Sequence, residues 1–503
     1  MVRWRLPPAV AAALVGAAAF AYVYLATGAI ENDHFVMLAR AHQVLYGDWP
    51  VRDFEDPGMP LAYLMSAAAA AVFGPTIFVN VIVSLVLFGI TAGLTYLLAR
   101  RASGTAVGGL VAAAVAAVVY PRLYNTTKVL VPVAAMAFAW SYVDVPDRKR
   151  LCGIAAWTAV AFLLRHDYVA YVAVSNLVLL AIVHRDSARE AATRIGLYLA
   201  LVCLFIAPWL AYAQWNEGLA EYFGTALRFV DMERQRTAGG LPPLLFYPLA
   251  AIPLAAILIA WRRSVTPPTT KLAVAAVLVL SMDLVFLRDV LASRVPDVTA
   301  PTAIVAAAIA GLTLSRRAIN AGALLILVAV LLLAAGPRAL HAWTVLSPGA
   351  LAGRAVQVTE RLRHASPEIQ PRPMLAPVID YLARCTSPVD RVLVGGFGPE
   401  IAVLAHRPFA SGLAAWIPGY YEDPRDVARA IARLNRERVG AVVVLDGPQM
   451  FARAWPDIDR WIRAHRFEEH AVELIDARLR VWLPREQASS PVDRATNLPC
   501  KAR

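Results

Sequence analysis

The chain has 503 residues, of which 59% are hydrophobic and only 17% charged, whereas about a quarter of the residues in soluble globular domains are charged. This composition excludes an ordinary soluble protein and predicts an integral membrane protein. The formal net charge is +12, but many basic residues stand in short clusters between apolar runs, where topology and anionic lipid explain them. No basic patch is interleaved with aromatic residues, so we predict no nucleic-acid partner.

The apolar runs predict about eleven membrane-spanning helices, judged against the roughly 20 apolar residues that a span requires. The first run, from Pro7 to Ile30, is longer than the ~7 to 15 apolar residues of a secretory signal and predicts a retained helix. Residues 61–74 are rich in alanine and predict a half-buried helix rather than a span. The other predicted spans lie at about 75–99, 105–120, 127–145, 151–164, 168–184, 193–214, 242–261, 271–288, 297–314 and 318–335.

Basic clusters occupy every second connection between these spans, as the positive-inside rule requires of cytoplasmic connections. The clusters are Arg3 and Arg5, Arg100-Arg101, Arg148-Lys149-Arg150, 184–194, Arg262-Arg263 and Arg316-Arg317. The remaining connections then face outward, and an odd number of spans places everything after Pro337 outside as well. The outward connections are the acidic loop 31–60, 121–128, 165–167, the loop 214–241 and 287–297.

Charged residues return after Pro337, and strand-like and helical patterns alternate there. We predict a soluble, periplasmic α/β domain over 337–485, with strands at 391–394, 440–445 and 477–483 and helices at 424–435 and 455–465. Residues 486–503 are polar and predict a disordered tail. Cys385 and Cys500 share an oxidising compartment in this topology, so we predict a disulfide between them.

The first outward loop begins with Glu31-Asn32-Asp33, directly after the first apolar run. A carboxylate at the membrane edge can accept a proton from a substrate that arrives in the lipid, so Asp33 and Glu31 are candidate catalytic residues. The alternative is that these residues only cap a helix and mark the water interface. Both interpretations remain open on the sequence alone.

Other outward polar residues are candidates for binding substrate. Arg165-His166-Asp167 interrupts two apolar runs, where Arg165 is suited to bind a phosphate and His166 to donate to one; an Arg–Asp pair that closes a tight hairpin is the structural alternative. The loop 214–241 predicts an interfacial helix with a charged end. The complete predicted substrate-binding set is Arg52, Asp56, Arg165, His166, Asp167 and Arg234.

The order of these features resembles the GT-C superfamily of membrane glycosyltransferases, in particular bacterial proteins similar to protein O-mannosyltransferases and aminoarabinose transferases. The resemblance is carried by Glu31-x-Asp33, Gly47-Asp48-Trp49-Pro50, the 56–61 turn Asp-Pro-Gly-Met-Pro-Leu and Leu164-Arg165-His166-Asp167, and is strongest over residues 20–180. It implies a GT-C-like membrane domain over 1–336, located in a bacterial cytoplasmic membrane.

The resemblance also implies an inverting transfer of a sugar from a polyprenyl-phosphate carrier to a lipid, glycan or protein acceptor at the outer membrane face. Asp33 matches the acid that serves the family as base or as an orienting group for the acceptor. Glu55-Asp56 stands where relatives often have a basic residue or histidine, so a divalent cation (Mg²⁺ or Mn²⁺) held by Glu31, Asp33 and Asp56 is a further hypothesis. The alternative function is a transporter or flippase of a lipid-linked envelope precursor.

Overall fold

The structure is a computed structural model that describes residues 7–237, 242–244, 246–286, 291–333, 351–445, 447–474, 478–487 and 490–500. Fourteen helices precede residue 334 in these described residues. They are α1 (Pro8–Ala26), α2 (Asn32–Leu45), α3 (Pro60–Phe73), α4 (Ile77–Ser103), α5 (Ala106–Val118), α6 (Thr126–Asp144), α7 (Arg148–Leu164), α8 (His166–Val183), α9 (Ala188–Asn216), α10 (Leu219–Thr237), α11 (Phe246–Arg262), α12 (Pro267–Phe286), α13 (Val295–Thr313) and α14 (Arg316–Leu333).

The predicted polytopic architecture is confirmed. Each of the eleven predicted spans coincides with one of these helices, and the alanine-rich segment forms the additional helix α3. Seven of the described helices, some counted with an adjoining 3₁₀ turn, are long and apolar enough to cross a membrane by length and composition, whereas α3, α5 and α11 are shorter apolar helices. The chain is a multi-pass membrane protein.

Close packing of α1 against α4 depends on small residues at their contact. A Cβ atom added to Gly16 would lie 2.5 Å from the carbonyl oxygen of Gly89, and one added to Gly93 would lie 2.8 Å from that of Ala12. Backbones that approach this closely gain dispersion contacts, which help hold helices together in lipid, where burial of apolar surface adds little. The contact holds α1 against α4, and α2 follows directly after α1 in the chain.

The C-terminal segment folds as a small α/β domain around a four-stranded sheet. Its elements are α15 (Leu351–Arg363), α16 (Ala376–Cys385), β1 (Arg391–Gly395), α17 (Pro399–Leu404), α18 (Pro424–Leu434), β2 (Val439–Val444), α19 (Pro448–Ala454), α20 (Pro456–Ala464), β3 (Phe467–Glu473) and β4 (Arg478–Pro484). The strand order is β1-β2-β4-β3. β1 and β2 are parallel, and β4 runs antiparallel to both β2 and β3.

The sequence predicted three of these strands but missed β3. This edge strand is mostly exposed, with the residue pattern Phe-Glu-Glu-His-Ala-Val-Glu, so it carries neither a buried apolar run nor a clean alternation. The predicted boundary between the domains, 336/337, lies outside the described residues.

The tail differs from the expectation of disorder. Leu498 is completely buried in the core of the C-terminal domain, and Val492 forms an isolated β-bridge with Pro499. The predicted disulfide between Cys385 and Cys500 is present, with 5.1 Å between the two Cα atoms. Composition alone predicted a solvated tail because a single apolar anchor and one cystine contribute little to the average polarity of the segment.

Charged and backbone hydrogen bonds join the C-terminal domain to the first outward loop. Arg391 on β1 donates to both carboxylate oxygens of Asp48, at 2.7 and 3.0 Å. The N–H of Ile30 donates to the carbonyl of Ile369 at 2.8 Å. The Gln43 amide donates to the carbonyl of Phe409 at 3.1 Å. The domain therefore contacts the chain near both ends of α2.

Candidate active site

A cavity of about 540 Å³ lies between the outward helix ends and the C-terminal domain. Its wall is built from α2, the 57–59 turn, the α5–α6 and α7–α8 connections, α10, the segment before α13 and the 413–421 loop. The described residues that give it its chemistry are Asp33, Arg40, Arg122, Tyr124, Lys128, Arg165, His166, Asp167, Glu233, Arg294 and Tyr421. All five connections that the basic clusters assigned to one face of the membrane contribute to this wall or to its ion pairs.

Asp33 lies in the first turn of α2 with its side chain 45% exposed. The Tyr124 hydroxyl donates to its Oδ2 at 2.8 Å, and Arg122 donates in turn to the Tyr124 oxygen at 3.0 Å. Arg122 also lies 3.5 Å from Oδ2. These contacts orient the carboxylate toward the cavity and leave part of it accessible to a substrate.

Glu31 occupies the N-cap position of α2, but its side chain makes no capping hydrogen bond. Its carboxylate instead receives Nε of Arg122 at 2.9 Å. The structure thus gives no support to helix capping as the reason for Glu31, whereas Asp33 lies in the first turn of α2. Because Arg122 contacts both, it joins the acidic segment to the α5–α6 connection.

Arg165 and Asp167 form a fork-shaped pair at the start of α8. Nε and Nη2 of Arg165 donate to the two Asp167 oxygens at 2.8 and 3.0 Å. Among the described residues, the hydrogen-bond contact of Nη1 is with the Met59 sulfur, at 3.9 Å. The pair matches the hairpin alternative raised by the sequence, and it also leaves guanidinium N–H groups for an anion in the cavity.

Four cations of the wall were not among the predicted site residues, namely Arg40, Arg122, Lys128 and Arg294. Lys128 lies 3.5 Å from Asp297, and both side chains are 8% exposed. Arg294 lies 3.9 Å from Glu233. Lys128 and Arg294 therefore each stand beside a carboxylate at the cavity wall.

His166 and Asp56 meet through a third residue, Tyr222. The Tyr222 hydroxyl lies 2.9 Å from Asp56 Oδ2 and 2.9 Å from His166 Nε2, and it accepts from Trp209 Nε1 at 2.9 Å. Because the carboxylate only accepts, the single hydroxyl hydrogen points to Asp56, and His166 donates from Nε2. The His166 ring stacks on Phe162 with 4.2 Å between the centroids.

Asp56 organises the turn that leads into α3. Its Oδ1 accepts the N–H groups of Gly58 and Met59 at 2.9 and 2.8 Å and the hydroxyl of Tyr63. Gly58 has φ +98°, and a Cβ atom there would lie 2.5 Å from Nδ1 of His166. Only glycine allows this backbone to rest against the imidazole ring. Asp56 is 3% exposed and positions other residues of the wall rather than lining the cavity.

The two remaining predicted binding residues lie elsewhere. Arg52 is a surface residue that pairs with Asp53 at 2.6 Å and has a side chain that is 49% exposed. It does not line the cavity. Arg234 belongs to α10, but its side chain lies outside the described residues.

The hypothesis of a divalent cation has no assembled ligand set. Across the described ranges, no three His, Cys, Asp or Glu side chains come together in a way that could hold a metal ion. Glu31 and Asp33 both contact Arg122, whereas the Asp56 carboxylate accepts hydrogen bonds from hydroxyl and backbone N–H groups. The three carboxylates therefore do not fit one metal site, and no step of the chemistry is assigned to a metal.

Comparison with known proteins adds to this geometry. Residues 56–212 match the family of dolichyl-phosphate-mannose-protein mannosyltransferases, and no curated protein matches the chain. Among solved structures, the chain is similar to the crystal structure of ArnT from Cupriavidus metallidurans bound to undecaprenyl phosphate. The identity is 16%, the TM-score is 0.53, and the match covers 94% of this chain and 97% of that one. The chain therefore shares its fold with this structure, in agreement with the resemblance that its sequence predicted.

Proposed function

We propose that the protein is an inverting glycosyltransferase that moves a sugar from a polyprenyl-phosphate carrier to an acceptor hydroxyl. The observation that supports this most directly is one cavity that holds an oriented carboxylate, Asp33, together with five basic side chains against three acidic ones. A transfer of this kind needs both parts, a base for the hydroxyl and positive charge for the departing phosphate.

In the proposed reaction, the acceptor oxygen attacks the anomeric carbon of the sugar. A bond forms between these two atoms while the bond from the anomeric carbon to the phosphate oxygen breaks. The hydroxyl proton passes to Asp33, and the electron pair of the broken bond leaves with the polyprenyl phosphate. One displacement from the face opposite the leaving group inverts the anomeric configuration.

Arg165, Lys128 and Arg294 are the proposed binding site for the phosphate. Lys128 has Arg165 and Arg294 among its electrostatic neighbours, together with Asp167 and Asp297. The wall around this group holds five basic side chains against three acidic ones, so the cavity keeps a net positive charge toward a ligand. Charge fixed before the reaction stabilises the developing phosphate without the cost of reorganising solvent.

We place the reaction at the outer face of a bacterial cytoplasmic membrane, with the C-terminal domain periplasmic. The basic clusters support this orientation, and the oxidised Cys385–Cys500 pair is typical of an oxidising compartment. None of the comparisons supports the transporter alternative. A reporter fused after Cys500 should behave as periplasmic, and a cytoplasmic signal would contradict the orientation.

The test of the activity is a transfer assay with the purified full-length protein in nanodiscs. Undecaprenyl phosphate bearing a radiolabelled neutral sugar is the donor, and envelope lipids, glycans and proteins from a deletion strain supply the acceptors. We expect time-dependent labelling of one acceptor class, with the anomeric configuration inverted by NMR. Absence of labelling with every donor sugar, together with failure to bind undecaprenyl phosphate, would refute the proposal.

A further inference from the structure

Arg40 is the most deeply buried cation of the cavity wall that the proposed chemistry does not use. It lies on α2, lines the cavity and is only 7% exposed. Within the described part of the chain, its guanidinium forms no hydrogen bond or ion pair. Its closest described aromatic contact is the Tyr63 ring, whose centroid lies 5.8 Å away.

Burial lowers the pKa of Arg40, but its neighbours outweigh burial and raise that pKa, so the guanidinium stays charged, although none of them forms a described ion pair with it. Its electrostatic neighbours are Tyr63, Tyr421, Glu55 and Asp56, but the Asp56 carboxylate already accepts hydrogen bonds from two backbone N–H groups and two tyrosine hydroxyls. Burial raises the pKa of Glu55 to about 7, so this carboxyl is only partly ionised at neutral pH. A charged guanidinium that is buried at a cavity wall without a described carboxylate partner is a receptor for an anion.

Arg40 also stands apart from the cations assigned to the carrier phosphate. The groups that most affect the pKa of Lys128 are Asp297, Arg165, Arg294 and Asp167, whereas those that most affect the pKa of Arg40 are Tyr63, Tyr421, Glu55 and Asp56. A polyprenyl monophosphate brings a single phosphate. The cavity therefore offers a second anion site that such a donor leaves empty.

The position of Arg40 on α2 indicates which substrate fills that site. Asp33, Val36, Met37 and Arg40 all line the cavity, which is the i, i+3, i+4, i+7 pattern of one helix face. Seven residues correspond to about 10 Å along a helix axis. A molecule whose hydroxyl contacts Asp33 extends along this face toward Arg40.

We infer that Arg40 binds an anionic group of the acceptor, a phosphate or carboxylate located roughly two helical turns from the hydroxyl that is glycosylated. The inference rests on the proposed function and narrows its acceptor to anionic molecules. Arg40 is a specificity-determining residue in this scheme, and Asp33 remains the base.

Sulfate tests the site because its charge is constant between pH 6 and 8. Binding is measured by calorimetry on the full-length protein in nanodiscs already saturated with undecaprenyl phosphate. We expect sulfate to bind wild type and Arg40→Met to lower the affinity for sulfate at least about tenfold. The affinity of Arg40→Lys should lie between those of wild type and Arg40→Met. Undecaprenyl phosphate should bind all three proteins equally, and Arg460→Met, at an exposed pair with Asp457, is the matched control.

Glu55→Gln provides a second variant that keeps the positive charge in place. The charged or titratable groups around Glu55 are Arg40 on α2, Tyr421 in the 413–421 loop, and Asp426, Arg429 and Arg433 on α18. Glu55 ionises as pH rises through about 7 and then competes for Arg40, so sulfate should bind wild type more weakly at pH 8 than at pH 6. Glu55→Gln should remove most of this difference and bind more tightly at pH 8.

Three outcomes would overturn the inference while leaving the proposed function intact. They are displacement of sulfate by undecaprenyl phosphate in wild type, loss of undecaprenyl phosphate binding in Arg40→Met, and unchanged sulfate binding in a folded Arg40→Met protein. The first two would assign Arg40 to the carrier phosphate. Failure of wild type to bind undecaprenyl phosphate would instead count against the proposed function.

Discussion

The start of α2 and the turn before α3 both present carboxylates from the same outward loop, but the structure gives them opposite surroundings. Asp33 is half exposed and has its partners on one side, so its carboxylate faces the cavity. Asp56 is buried and accepts from four donors. A carboxylate is available for chemistry when its oxygens do not already accept hydrogen bonds from neighbouring protein groups on every side.

We expect the largest effect from Asp33→Asn, which should lower turnover. Asp33→Asn keeps the size of the side chain but removes its basicity, so we expect turnover to fall by a factor on the order of 10² to 10⁴ with stability unchanged. Steady-state transfer rates and a melting curve on the same preparation measure both quantities. Asp53→Asn, in the same loop but in a surface pair with Arg52, is the control.

Glu31→Gln ranks the two neighbouring acids in the same assay. Glu31 contacts Arg122 but does not line the cavity, so its loss should cost much less turnover than the loss of Asp33. Near-normal transfer by Asp33→Asn would remove Asp33 from its role and move the base to Glu31.

A second effect concerns the phosphate. Arg165→Met removes a guanidinium that faces the cavity and should lower kcat by roughly 10² to 10³, the usual cost of losing one donor to a developing oxyanion. Arg165→Lys should recover part of the rate, because it restores the charge but not the fork with Asp167. Arg148→Met, at an exposed position in the 148–150 basic cluster, should transfer normally. Equal rates for Arg165→Met and wild type would exclude Arg165 from the phosphate site.

A third effect belongs to the buried acid and should appear in stability. Asp56→Asn retains an oxygen for the 58–59 turn but loses the charged acceptor of Tyr222, so we expect the free energy of unfolding to fall by about 1.5 to 3 kcal/mol. Thermal unfolding in detergent, compared with the exposed Asp457→Asn control, measures it. A variant as stable as wild type but inactive would mean that Asp56 takes part in the reaction.

We expect the smallest effect from a substitution of Arg52, the surface residue of the same loop. Arg52 is half exposed and away from the cavity, and exposed ion pairs contribute about 0 to 1 kcal/mol. Arg52→Gln should therefore change neither kcat/KM nor the melting temperature measurably. A clear loss of transfer would show that a substrate extends beyond the cavity to this part of the loop.

Much of the membrane architecture followed from sequence because lipid imposes strong local rules. Spans must be apolar and about 20 residues long, and basic residues mark one side, so every predicted span coincided with a helix. Asp33, Arg165 and His166 were found for the same reason, since each interrupts an apolar run at its outward end. β3 was missed because an exposed edge strand carries no such pattern.

The tertiary structure alone decided which polar residues form the site. Lys128, Arg294 and Arg40 have no local signature, and they line one cavity with Asp33 only because five separate connections end at the same height under the C-terminal domain. The same folding buried Asp56 and left Arg52 at the surface, although both lie within five residues on one loop. The sequence by itself determined the helices and predicted which connections share one face of the membrane, because hydropathy and charge act locally along the chain. Which side chains retain free donors and acceptors depends on partners distant in sequence, and only packing brings those together.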